Sequence, residues 1–169
     1  MNLIVAVTTN KAIGSNGDQL FFIPEDLKFF KEKTDGKVVV MGRSTLKTLP
    51  NGKPLKNRTN IVLSKNVNLK IEGAIVCTSL SELFNELKKY SSDDIFVIGG
   101  ESVYEQLADY CDTAFITEID KVCEADKFFN CVYNHKKWTK SLESEEKEHE
   151  GKIFRFCTYK NLKPKKMSF

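Results

Sequence analysis

Several signatures are missing from these 169 residues, and each absence removes a class of protein. There is no GxGxxG and no GxxxxGKS/T, which disfavours the ordinary dinucleotide fold and a P-loop NTPase. No serine lies in a GxSxG, so a serine hydrolase has no support. The five cysteines (Cys77, Cys111, Cys123, Cys131, Cys157) are odd in number and include no CxxC pair. That pattern argues against a disulfide framework or a zinc site and for free, mostly buried thiols in a reducing compartment. His135 and His149 have no ligand spacing to each other or to cysteine, so no metal is expected. A net charge of +3 falls short of the basic excess of a nucleic-acid binder. No apolar run is long enough to cross a membrane, and the first residues lack a basic leader region, which points to a cytoplasmic protein. The lysines Lys160, Lys163, Lys165 and Lys166 read as a solvated, frayed tail from about residue 161.

What is present is ordinary globular material: 41% hydrophobic and 29% charged residues, enough chain for one domain over 1–169. Leu3 to Val7 is a short apolar run rich in β-branched residues, the mark of a buried strand. Thr8 to Phe22 reads as a long loop, and such loops are usually mobile or functional. Pro24 opens a helix running to about Thr34, closed by Asp35-Gly36. Strands are predicted at Val38–Met41, Asn60–Leu63, Ala74–Cys77, Ile95–Ile98 and Ala114–Thr117. Short helices follow Gly42 and Gly100, and a helix over 80–87 begins at a Ser79 cap with Glu82 in a capping box. This strand–helix rhythm predicts a mostly parallel sheet flanked by helices. Trp138–Glu143 and Ile153–Tyr159, joined by a polar link, predict an antiparallel ending.

Three places could carry chemistry. On the helix from Pro24, residues Ile23, Asp26, Leu27 and Phe30 share a face, so one carboxylate lies in an apolar stripe while Lys28, Lys31 and Glu32 lie toward the other side. Asp26 is either an acid favouring the helix dipole or a carboxylate that binds a polar ligand edge. Ile98-Gly99-Gly100 ends a strand in two glycines before a helix, where backbone can approach an anionic ligand. Gly42-Arg43-Ser44-Thr45 repeats that arrangement and adds a cation; it suits a phosphate or is an exposed arginine at a helix start. Arg58, just before the strand at Asn60, has a planar guanidinium that suits a ligand carboxylate, although a surface arginine is the default reading.

Taken together and in order, IVAV (4–7), IGSNG (13–17), IPEDLKFFK (23–31), VVMGRSTLKTL (39–49), NRTNIVLS (57–64), FVIGGESVYEQ (96–106), AFITEID (114–120) and EADKFF (124–129) resemble the dihydrofolate reductase family. The resemblance implies that family's three-layer α/β fold, a mostly parallel central sheet with an antiparallel C-terminal strand and flanking helices. It also implies reduction of dihydrofolate by NADPH, with hydride to C6 and a proton to N5. Asp26 then looks like the carboxylate that binds the pterin's 2-amino and N3 edge, and Thr117 like the threonine that buttresses it. Val5, Ala6, Leu27, Phe30, Leu49 and Ile98 match the pterin pocket, and Arg58 the clamp on the substrate's glutamate. The NADPH site would draw on Ala6, Ile13, Gly14, Gly42, Arg43, Ser44, Thr45, Leu63, Ser64 and Ile98, and on Gly99, Gly100, Glu101, Ser102, Val103 and Tyr104. Arg43, Ser64 and Lys65 would face the 2′-phosphate, with Tyr104 near the nicotinamide. The loop from Ile13 to Phe22 resembles a lid over the nicotinamide.

The chain is expected to be a cytoplasmic monomer acting on small molecules, without nucleic-acid or membrane partners. One departure bears on the site. Leu20-Phe21 replaces the family's usual Pro-Trp, so Phe21 keeps a ring face beside the pterin but has no indole N–H for the catalytic water network. Leu46 also stands where an aromatic is common.

Overall fold

The computed structural model describes residues 1–168. Eleven strands are present: β1 (Asn2–Thr8), β2 (Ala12–Gly14), β3 (Val38–Gly42), β4 (Thr59–Leu63), β5 (Ala74–Cys77), β6 (Ile95–Gly99), β7 (Thr113–Ile119), β8 (Lys127–Phe128), β9 (Trp138–Glu143), β10 (Lys147–His149) and β11 (Lys152–Asn161). The helices are α1 (Pro24–Thr34), α2 (Arg43–Thr48), α3 (Leu80–Leu87) and α4 (Glu101–Leu107), with single 3-10 turns at Pro50–Gly52, Ser92–Asp94 and Ala108–Tyr110.

The main sheet runs β10-β11-β7-β1-β6-β3-β4-β5, with β9 also pairing with β11. Every pair from β7 to β5 is parallel, and β11 lies antiparallel to β7. Central strands in such a sheet are covered on both faces, which is why β3 and β6 read as unbroken apolar runs rather than alternating ones. Alternation still decides which layer each side chain enters. Leu3, Val5, Val7, Val38, Val40, Ile95 and Val97 face one way and pack with Leu83, Phe84 and Leu87 of α3 and Val103, Tyr104 and Leu107 of α4. Ile4, Val39, Met41, Phe96 and Ile98 face the other way, toward Leu46 of α2 and Phe29 and Phe30 of α1. These are the three layers that the sequence implied. Leu46 fills its place in the second layer without an aromatic ring.

Several expectations are corrected. The stretch from Thr8 to Phe22 is not wholly loop: β2 pairs antiparallel with β8, a two-stranded ribbon apart from the main sheet. The polar link between β9 and β11 holds β10, which pairs with β11. On α1, Leu27 is 41% exposed, while Phe29 packs inward and stacks on Phe156 at 4.4 Å between centroids. The helix is rolled so that Phe29 and Phe30 meet the sheet and Asp26 and Leu27 border an opening. In α3, Ser79 Oγ accepts from the Glu82 N–H at 3.1 Å, as the capping box requires. Glu82, however, reaches one residue further back than expected, accepting from Thr78 N–H at 2.6 Å and Thr78 Oγ1 at 2.9 Å. The tail read as frayed lies against the body. The Leu162 N–H donates to Lys137 O at 2.7 Å, Lys165 pairs with Asp109 at 2.7 Å, and Met167 packs on the core. The cysteines are free, with Cys77, Cys111 and Cys157 buried. Among the described residues no helix is long and apolar enough to cross a membrane, and no cluster could hold a metal.

Candidate active site

In a parallel sheet, ligands gather outside the carboxyl ends of strands where the order reverses. Here β1 leads through α1 to β3, two places away, while β6 fills the gap and β7 lies on the other side of β1. A cleft of about 980 Å³ opens there, bounded by the ends of β1, β3, β4 and β6, the starts of α2 and α4, one side of α1, and the segment carrying β2.

Asp26 forms the polar point of an otherwise apolar wall. The register pairs Thr117 of β7 with Ala6 of β1 and Phe156 of β11, and alternation turns it to the same face as Phe115, toward α1. There Thr117 Oγ1 donates to Asp26 Oδ1 at 2.6 Å. Burial pushes the Asp26 carboxyl above its ordinary range, and the weaker opposing pull is the Thr117 hydrogen bond, which favours the anion. Val5, Ala6, Leu27, Phe30, Leu49 and Ile98 line the cleft around this carboxylate. Thr117 does not. It is 2% exposed and reaches the site only through Asp26.

Arg58 also borders the cleft. Its Nε donates to Thr34 Oγ1 at 3.2 Å and its Nη1 to Lys56 O at 2.8 Å. Two of five guanidinium donors are thereby used, which fixes the fork and leaves the others for a carboxylate.

The opposite wall is built from glycine. A Cβ on Gly42 would stand 3.2 Å from Val103 Cγ2, and one on Gly99 or Gly100 would stand 3.3 Å from Thr45 Oγ1. Gly99 also has φ +124°, which L side chains rarely adopt. The Gly99–Gly100 peptide bond is cis. Among the described residues no side chain caps the first turn of α2 or α4, so backbone donors there remain for a ligand. Arg43, Ser44, Thr45, Leu63, Ser64 and Lys65 continue this wall, and Glu101, Ser102, Val103 and Tyr104 complete it. The Tyr104 hydroxyl is buried and donates to Ile4 O at 2.7 Å; burial pushes its pKa well up, so it stays a phenol. Bare backbone, hydroxyls and two cations in one trough fit an anionic dinucleotide such as NADPH.

The segment from Ile13 and Gly14 to Phe21 closes the third side. Ser15 and Asp18 exchange backbone hydrogen bonds at 3.1 and 3.0 Å around Asn16 and Gly17, both at positive φ. That is the geometry of a type I′ turn, and the Asn-Gly pair was its signal in the sequence. The segment is held from outside: the Asn16 N–H donates to Asp126 Oδ2 at 3.1 Å, and Asn10 exchanges two hydrogen bonds with Cys123. Phe21 packs with Ile23, Ile119 and Phe154. Trp138 is buried on the far side in the core under β11 and is absent from the cleft.

Sequence reasoning missed Lys31, which lines the cleft although the helix pattern turned it outward, and Leu55, Thr78 and Lys127. The first stands one turn after Leu27, a signal that the cleft side of α1 is wider than one apolar stripe. The other three are brought in by tertiary structure and carry no local signal.

The family model for dihydrofolate reductase matches residues 1–161. The dihydrofolate reductase of Haemophilus influenzae is 37% identical over 128 residues, 76% of this chain and 77% of that protein. That of Buchnera aphidicola subsp. Baizongia pistaciae is 32% identical over 164 residues, 96% and 97% of the two chains. Among solved structures, dihydrofolate reductase from Enterococcus faecalis complexed with NADP(H) and RAB-propyl superposes with a TM-score of 0.82 at 33% identity, covering 95% of each chain. The chain belongs to the dihydrofolate reductase family.

Proposed function

We propose that this chain reduces 7,8-dihydrofolate to tetrahydrofolate with NADPH and that the cleft residues divide between the two ligands. The observation that carries the reading is the Asp26 carboxylate, set in an apolar wall and held by Thr117, facing a glycine-built anion trough. NADPH, when bound, supplies the hydride that reaches C6 of the pterin, and the protein supplies position and electrostatics. Arg43, Ser64 and Lys65 meet the 2′-phosphate, while Gly42 to Thr45 and Gly99 to Tyr104 cradle the rest. Ala6, Ile13, Gly14 and Ile98 border the nicotinamide.

Asp26 binds the 2-amino and N3 edge of the pterin and favours a proton at N5. Thr117 holds the carboxylate in that orientation. Val5, Ala6, Leu27, Phe30, Leu49 and Ile98 flank the ring, Phe21 covers it, and Arg58 binds the glutamate carboxylate. The segment from Ile13 to Phe22 excludes water from the reacting atoms. The working unit is one domain in one chain, a cytoplasmic monomer acting on small molecules.

The test is loss of NADPH absorbance on mixing with dihydrofolate, then with pterins that lack the glutamate tail. NADPH binding without turnover of dihydrofolate would remove the reductase reading.

A further inference from the structure

Residues 127 and 128 of β8 point to opposite sides of the ribbon. Lys127 lines the main cleft, and Phe128 lines a second, smaller cavity of about 280 Å³. Glu101 and Glu105 of α4 border both cavities, so β8 lies beside the start of α4. Across the ribbon Lys127 pairs with Gly14, and its Cβ and Cγ stand 3.6 and 3.8 Å from where a Cβ on Gly14 would be. The lysine stem therefore runs over the bare backbone of β2 at the edge of the cleft.

The Lys127 ammonium has no hydrogen-bond or ion-pair partner among the described residues. The other cations lining the cleft are elsewhere: Arg43 follows β3, Lys65 follows β4, Arg58 precedes β4 and Lys31 lies on α1. At the β2–α4 end the neighbouring charges are carboxylates: Glu101 and Glu105 of α4, and Asp18 in the turn after β2. An anionic ligand brought against them needs a countercharge, because like charges at short range are unfavourable even in a half-wet cleft. Crossing the strand ends from β1 through β6, β3 and β4 to β5 spans four gaps of about 4.8 Å, a trough about 19 Å long. With the 2′-phosphate cations at the β4 end, an extended dinucleotide would pass its central part over the glycines after β6 and β3, toward the start of α4 beside which β8 lies.

We propose that Lys127 is a cofactor-binding residue that contacts the diphosphate of the dinucleotide. The proposal rests on the NADPH reading of the trough given above. It makes the contact depend on the lid, since the lysine is carried on the strand that pairs with β2.

Calorimetric titration of the purified chain with NADPH, NADH and 2′-AMP tests it in wild type, Lys127→Gln and Lys127→Arg. The diphosphate is common to NADPH and NADH and absent from 2′-AMP. Lys127→Gln should weaken both dinucleotides by about fivefold, the scale of one partly exposed charged contact, and leave 2′-AMP unchanged. Lys127→Arg should stay within about twofold of wild type, since it keeps the charge. No change with either dinucleotide would overturn the proposal, as would a loss confined to NADPH and 2′-AMP, which would place the lysine on the 2′-phosphate. A wild-type chain that bound neither dinucleotide would overturn the cofactor reading itself, and this proposal with it.

Discussion

Thr117 Oγ1 donates to Asp26 Oδ1 at 2.6 Å, tying the middle of β7 to the first turn of α1 across 91 positions of sequence. The bond favours the carboxylate anion against the burial that disfavours it. Thr117→Val keeps the shape and removes the donor, so the Asp26 pKa should move further up. At neutral pH kcat/KM should fall about tenfold, the equivalent of one hydrogen bond to a charged group, and the acid limb of the pH profile should move to higher pH. Thr117→Ser should restore both. A pH-independent loss in Thr117→Val, unrelieved by serine, would show that Thr117 only packs.

Arg43 is exposed, lies on the trough and makes no side-chain hydrogen bond or ion pair among the described residues. Arg43→Ala should weaken NADPH by about ten- to a hundredfold, the range for bonds to a charged group, and NADH hardly at all. Fluorescence titration with both cofactors checks this. Equal losses would move Arg43 off the 2′-phosphate.

Arg58→Leu should raise KM for dihydrofolate strongly and leave NADPH affinity alone. The substitution also removes a donor to Thr34, but the Thr34 hydroxyl still donates to Phe30 O at 2.8 Å. Thermal stability should therefore fall by no more than about 1 kcal/mol. A dihydropterin without the glutamate tail should be indifferent; if it suffers equally, Arg58 supports the fold of this corner instead.

Asp126 does not border the cleft, yet its carboxylate accepts from Asn16 in the lid turn. Asp126→Ala should leave the melting temperature within a few degrees, because the bond is solvent-exposed. The lid should open more often, which limited proteolysis between Ser15 and Leu20 would report as faster cleavage, together with a slower hydride step. Unchanged proteolysis would mean that β2–β8 pairing alone holds the lid.

Much of this was legible because it is local. Pro24 and Asp35-Gly36 bound α1, and Ile95 to Gly100 announces a buried strand that ends on glycine. Asp26 stood out because a carboxylate in an apolar stripe is costly. What escaped is what tertiary packing decides. A three-residue strand such as β2 has too few residues for a period, and its partner lies more than 110 residues away. Helical spacing gave α1 one apolar stripe, but the helix must serve both a sheet and a cleft, so Phe29 and Phe30 took the sheet while Leu27 and Lys31 were left to the opening. Thr117 was assigned to the site by resemblance, and the geometry sets it behind the carboxylate, out of the cleft surface.

Asp26 allows function and stability to be separated. Its pKa is raised in the folded chain, so the native state holds that proton more tightly than the unfolded chain does. Between the ordinary carboxyl value of 3.8 and the raised one, the native state binds more protons, and stability falls as pH rises through that window. Above the window the full penalty of a buried anion is present. Asp26→Asn removes the charge and keeps an oxygen that can accept from Thr117. At pH 7 the variant should therefore melt no lower than wild type, and the wild-type decline in stability above pH 3.8 should be reduced. Activity should move the other way. With no carboxylate to favour a proton at N5, single-turnover hydride transfer at pH 7 should slow by about 10²–10⁴, the range for a positioned acid–base group. As pH falls and solvent protonates more substrate, the variant should recover part of its rate, while NADPH affinity stays unchanged. A purely structural carboxylate would reverse the signs: loss of Asp26 would lower the melting temperature and leave a constant, modest rate defect at every pH. Melting curves from pH 3.5 to 9 and single-turnover rates from pH 5 to 9, for both proteins, decide between the two. A variant within about threefold of wild type at pH 7 would take Asp26 out of the mechanism.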